Sequence, residues 1–235
     1  MNVSNLPTRL LLIGGAALFL ASFPAKADPV TIANYNFSNP NLDSGLGYNV
    51  GDVPDWNFDN PGARSGDGII NNTINPEYAS VPGGSDQFAY LNVVADADYP
   101  TVSPSLTQTL TTDFIAGDNY ALAVYVGNNS FSGTIGTYTL TLYDNGSAVK
   151  TADLSSALIT PAEFAPLSLD YTPTDDGTIG IALSFTSTTL NVNEQGNFAD
   201  VTLNYTPAVP EPSDLAYMAI GVSLFFLVRR KLMNN

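Results

Sequence analysis

The sequence predicts an all-β fold, an antiparallel β-sandwich of the jelly-roll kind, flanked by an apolar segment at each end. Three observations predict it. Apolar residues of the central region recur with a period of two, and no amphipathic run reaches helical length. Turn signals such as Asp144-Asn145-Gly146 and Asp175-Asp176-Gly177 divide the alternating stretches. The alternation is clean: Tyr120, Leu122, Val124 and Val126 share one face, with Ala121, Ala123 and Tyr125 on the other. Ile179, Ile181, Leu183 and Phe185 likewise oppose Gly180, Ala182, Ser184 and Thr186, the pattern of half-buried strands in a sandwich.

Residues 1–27 read as a secretory signal peptide. Arg9 supplies the charged start, Leu10 to Phe23 the apolar centre, and Ala25-Lys26-Ala27 the small-residue cleavage site. Signal peptidase and the Sec translocon are the partners this segment requires. Residues 28–206 form the sandwich domain. Its expected strands are Val30 to Phe37, Gln87 to Val94, Ser105 to Thr112, Tyr120 to Val126, Tyr138 to Tyr143, Leu167 to Tyr171, Ile179 to Phe185 and Ala199 to Tyr205. Between the first two lies Ser38 to Gly84, rich in Gly, Pro, Asn and Asp, where no strand assignment is offered.

Residues 207–213 are a linker holding Val209-Pro210-Glu211-Pro212-Ser213, whose prolines disfavour helix and stiffen the chain. Residues 214–235 read as a transmembrane helix with a basic tail. Leu215 to Val228 carries no charge, and Arg229, Arg230 and Lys231 mark the cytoplasmic side. That run of 14 residues makes about 21 Å of helix against roughly 30 Å of hydrocarbon, so the cations must snorkel or the bilayer must thin.

Composition excludes several functions. The chain has no cysteine and no histidine. Disulfides, thiolate nucleophiles, Cys/His zinc sites and Ser-His-Asp catalysis are therefore absent from its repertoire. With the ends set aside, Arg64 and Lys150 are the only basic residues, and the domain carries a net charge of about −18. Such a surface repels nucleic acid, which needs clustered cations.

The order of Pro-Glu-Pro box, apolar run and basic tail over Val209 to Asn235 resembles the PEP-CTERM sorting signal of exopolysaccharide-producing bacteria. The resemblance implies a membrane exosortase as partner and a transient C-terminal anchor. Within the domain, Asn34-Tyr35-Asn36-Phe37-Ser38-Asn39-Pro40, Val53-Pro54-Asp55-Trp56, Gln87 to Asn92, Leu106 to Leu110, Tyr120 to Gly127 and Phe198 to Leu203 occur in the order seen in galactose-binding-like jelly rolls. That family is related to carbohydrate-binding modules. It implies a structural calcium held by an acidic residue after the first-strand Phe and another in the last strand. Here Ser38 and Ala199 fall at those places, with Asp200 one position along, so calcium at Asp200 is the metal site to check.

Trp56, the only tryptophan, is a candidate sugar-stacking platform with Tyr78, Tyr99 and Phe131 as companions. The alternative is a loop tryptophan that plugs the end of the core. Asp96 with Asp98, Asp175 with Asp176, and Asp67 can offer calcium oxygens, but none has EF-hand spacing and solvated turn aspartates are the simpler reading. No carboxylate pair stands out for glycoside hydrolysis. The expectation is thus a non-enzymatic structural or adhesive protein, exported to the cell envelope or the extracellular exopolysaccharide matrix. The second expectation is a carbohydrate-binding module that recognises extracellular polysaccharide.

Overall fold

The structure, a computed structural model, describes residues 26–43, 46–60, 65–129, 136–187, 189–190 and 192–208. The expected signal peptide, Pro-Glu-Pro box, apolar run and basic tail lie outside these residues, apart from the positions next to the domain. Among the described residues no helix is long and apolar enough to cross a membrane.

Twelve strands build two antiparallel sheets. They are β1 (Asp28–Val30), β2 (Tyr48–Val50), β3 (Asn57–Asp59), β4 (Ser65–Asn71), β5 (Gln87–Val94), β6 (Ser105–Phe114), β7 (Asn119–Asn128), β8 (Thr137–Asp144), β9 (Ser147–Ser155), β10 (Glu163–Tyr171), β11 (Gly177–Thr186) and β12 (Asn193–Thr206). The seven-stranded sheet runs β10-β7-β12-β5-β4-β2, with β1 also paired to β12, and the five-stranded sheet runs β3-β6-β11-β8-β9.

The period-two pattern does what it predicts. Leu91, Val126 and Phe198 of the larger sheet and Leu106, Leu140 and Leu183 of the smaller one all lie in one buried cluster between the sheets. Burying each such side chain stabilises the fold by about 1.5–3 kcal/mol. At the hairpin between β8 and β9, Asn145 and Gly146 both take positive φ, 49° and 77°, as a type I′ turn requires.

Three expectations about elements are corrected. The first strand ends at Val30 rather than Phe37, because Asn34 (φ 46°) and Phe37 (φ 54°) turn the chain out of β geometry. Two glutamines then staple this segment to the sheets. Gln108 Nε2 donates to Ala33 O at 3.0 Å and Asp55 O at 2.8 Å. Gln87 Nε2 donates to Phe37 O at 2.8 Å and Pro40 O at 2.9 Å. Second, the turn-rich stretch contains β2, β3 and β4, each anchored by pairing to a longer neighbour. Third, β9 is an edge strand that no apolar period announces, since most of its side chains face solvent.

The last strand reaches back to Asn193 and carries a bulge between Ala199 and Thr202. Asp200 sits in that bulge with φ 50°.

Candidate functional site

The outer face of the seven-stranded sheet carries a second, smaller cluster: Ile70, Tyr78, Phe88, Tyr90 and Ala199, with Val81 and Phe164 packed against it. It exists because the loop between β4 and β5, residues 72–86, folds over that face. Asn72 shapes the loop. Its Oδ1 accepts from the backbone N–H groups of Glu77 and Tyr78, both at 2.9 Å, and its Nδ2 donates to Tyr78 O at 2.9 Å. The Tyr78 ring packs edge-on to Phe88 at 5.2 Å and tilted against Phe164 at 4.2 Å. Gly127 beneath it must be glycine, since a Cβ there would lie 2.6 Å from Tyr78 Oη and 2.8 Å from Phe164 Cε1.

Beside these rings runs a chain of polar groups. β12 pairs with β7 through Asn197 and Gly127, which places the outward-facing Gln195 and Asn197 under the loop. Asn197 Nδ2 donates to Tyr78 Oη. Gln195 Nε2 donates to Asn197 Oδ1 at 2.7 Å and to Glu77 Oε2 at 3.3 Å. Asn129 gives Glu77 a second side-chain hydrogen bond. From the inner side, Asn197 N donates to Tyr138 Oη at 3.2 Å, and Tyr138 donates onward to Gly127 O.

Burial raises the Glu77 carboxyl above its ordinary value, while the bonds from Gln195 and Asn129 pull it part of the way back. The Tyr78 and Tyr138 phenols are also pushed up, chiefly by burial, and stay neutral. A half-buried carboxyl raised above its ordinary value, cradled by amides beside aromatic faces, is equipped for proton transfer.

The sugar-platform residues do not come together. Trp56 is 6% exposed and lies inside the main core, where its Nε1 donates to Asn34 O at 3.4 Å and its ring packs 5.8 Å from Phe37. Tyr78 is 5% exposed and belongs to the other cluster. Neither ring has a face free for a sugar, because each fills apolar space that the loops would otherwise leave open. Tyr99 is exposed, and Phe131 lies outside the described residues.

Asp200 meets Gly83 of the covering loop, and burial raises its carboxyl. Among the described residues no group of three acidic side chains gathers there or elsewhere, whereas calcium takes six to eight oxygens. Asp96 closes a turn, its Oδ1 accepting from Asp98 N at 3.0 Å and Tyr99 N at 2.9 Å, and Asp176 accepts from Ala116 N at 2.8 Å. Asp67 departs from the solvated-turn reading: it is 4% exposed and faces the sandwich interior from β4.

Sequence reasoning singled out Tyr78 but not Glu77, Asn129, Gln195 or Asn197. The available signal was the polar alternation Gln195, Asn197 on a strand whose other face carries Phe198. Nothing in it announces that a loop covers those amides.

Fold and site together define a jelly-roll sandwich with a carboxyl–amide–tyrosine constellation on its larger sheet. Residues 28–207 match the HpiC1-like family, described as HpiC1 cyclase, and the chain belongs to that family. The expectation of a non-enzymatic protein is thereby overturned, since the family is one of cyclases. Among solved structures, the Stig cyclase Fisc from Fischerella sp. TAU, in complex with (3Z)-3-(1-methyl-2-pyrrolidinylidene)-3H-indole, is similar at TM-score 0.62 and 22% identity, over 78% of this chain and 100% of that one. The tailspike protein 4 enzymatically active domain of bacteriophage CBA120 is similar at TM-score 0.50 and 13% identity, over 74% of this chain and 21% of that one. The carbohydrate-binding module TmCBM61, in complex with beta-1,4-galactotriose, follows at TM-score 0.47 and 14% identity, over 73% and 95% of the two chains. The likeness to the first two shows a shared fold. No curated protein matches the chain.

Proposed function

We propose that this protein is a ring-forming enzyme in which the Glu77 carboxyl protonates an unsaturated, phosphate-free substrate on the outer face of the larger sheet. Family membership supports the reaction class. The observation that carries the assignment of the acid is the cradle itself: Glu77 held by Gln195 and Asn129 at the edge of the Tyr78–Phe164 pair.

The steps balance as an isomerisation. The carboxyl gives its proton to one carbon of a double bond, and the cation so formed is attacked by a second π-bond, which closes the ring. Loss of a proton to the carboxylate then restores the acid. Phe164, and Tyr125 one row along β7, offer ring faces that stabilise a cation through their quadrupoles. Between residues 28 and 207 there are 20 acidic residues against Arg64 and Lys150, a field that disfavours phosphorylated substrates.

Fisc holds an indole, so alkenyl indoles are the first compounds to test. Glu77→Gln keeps the shape and removes the proton. It should lower kcat on such compounds by about 10²–10⁴-fold with KM little changed. Turnover at the wild-type rate in this variant would remove Glu77 from the mechanism.

A further inference from the structure

We infer that Gln195 is a positioning residue for Glu77, its amide oriented from the core through Asn197, Tyr78 and Tyr138; the inference rests on Glu77 acting as the acid described above. An amide side chain has a donor end and an acceptor end, and the end facing a carboxyl decides which protonation state is favoured. Asn197 Nδ2 donates to Tyr78 Oη, and its Oδ1 faces Gln195. Gln195 turns its Nε2 inward to that oxygen, and the same nitrogen reaches Glu77 Oε2 at 3.3 Å. The backbone of Asn197 is fixed in turn by Tyr138, and both residues are fully buried, so water does not compete for these groups.

Polarity thus passes outward from the buried Tyr78 phenol, through two amides, to the carboxyl, while Tyr138 holds the Asn197 backbone. Gln195 presents a donor, which favours carboxylate and opposes the effect of burial. Burial and the Gln195 donor thus act on Glu77 in opposite directions. Asn129 is the other donor on Glu77, and Tyr78, a neutral phenol, is the titratable group that faces it among the described residues.

The test is an NMR-monitored pH titration of the full chain, following the Glu77 side-chain carboxyl carbon and the Gln195 amide protons. In the wild type the two signals should move with one shared midpoint. In Gln195→Leu and Gln195→Met the Glu77 midpoint should move to higher pH. Tyr78→Phe, which removes the partner of Asn197 Nδ2 and frees both amides to turn, should move it the same way with Gln195 itself unchanged. Gln195 protons indifferent to the Glu77 titration would overturn the inference even if every variant folded poorly, and so would an unchanged midpoint in folded variants. A Glu77→Gln enzyme with full activity would remove the acid role and leave this titration result standing. An inactive Glu77→Gln enzyme with an unmoved Gln195→Leu midpoint would remove only the role of Gln195.

Discussion

Glu77 and Asp67 are both carboxyls that burial pushes above their ordinary values, in different settings. Glu77 is half-buried, and the Gln195 and Asn129 amides moderate the effect of burial. Asp67 points inward from β4, pushed up first by burial, opposed by backbone hydrogen bonds that include Val53, and pushed further by Asp52. A carboxyl whose folded-state pKa exceeds its unfolded value holds its proton more tightly when folded. Its contribution to stability is therefore full below the ordinary value of 3.8 and declines as pH rises through the raised folded value. Asp67→Asn should remove that decline. Urea midpoints taken across this window should fall more steeply with pH in the wild type than in the variant, and parallel curves would contradict the burial argument. Neither role was legible in the sequence. Asp67 sits in Ser65-Gly66-Asp67-Gly68, which reads as a turn, and only pairing with Leu91 shows it to be a strand residue facing inward. Trp56 was open to two readings in the sequence, a sugar platform or a core plug, and it is buried in the main core.

At the level of elements, the strands that bury one face were readable and those that bury little were not. β7 and β11 alternate strongly, and their expected and observed limits nearly coincide. β9, exposed along most of its length, and β2 and β3, three residues each, gain their order from neighbours rather than from any pattern of their own. The loop over residues 72–86 is the element on which the site depends, and its seat is Gly127. Replacing Gly127 with alanine should drive Tyr78 and Phe164 off the sheet at a cost of about 1–3 kcal/mol. Thermal unfolding would show the loss, and a fall in activity larger than the loss of folded protein would show the displaced loop. An unchanged Tm would mean that Tyr78 does not pack as described. The sequence reveals Asn72 and Tyr78 as residues but not that one side-chain amide folds the loop back onto the sheet.

Taken as a whole, the molecule places an acidic, nearly cation-free sandwich around two separate apolar clusters, one between the sheets and one beneath a loop. The all-β architecture followed from periodicity and turn chemistry because those are local rules. The proposed site did not follow, because its groups lie on a loop, β7 and β12, far apart in the sequence, and none of them belongs to a nucleophile or metal motif. Absence of histidine and cysteine excluded several chemistries but left carboxyl acid catalysis open.

In the proposed reaction ring closure starts with a proton delivered from Glu77 to carbon. The decisive measurement is turnover of an alkenyl indole in D₂O, where the Glu77 carboxyl takes up deuterium, with the product analysed by mass spectrometry. The wild type should form a cyclised product carrying deuterium at the protonated carbon, and Glu77→Gln should not. A cyclised product free of deuterium, or one formed equally well by Glu77→Gln, would contradict it.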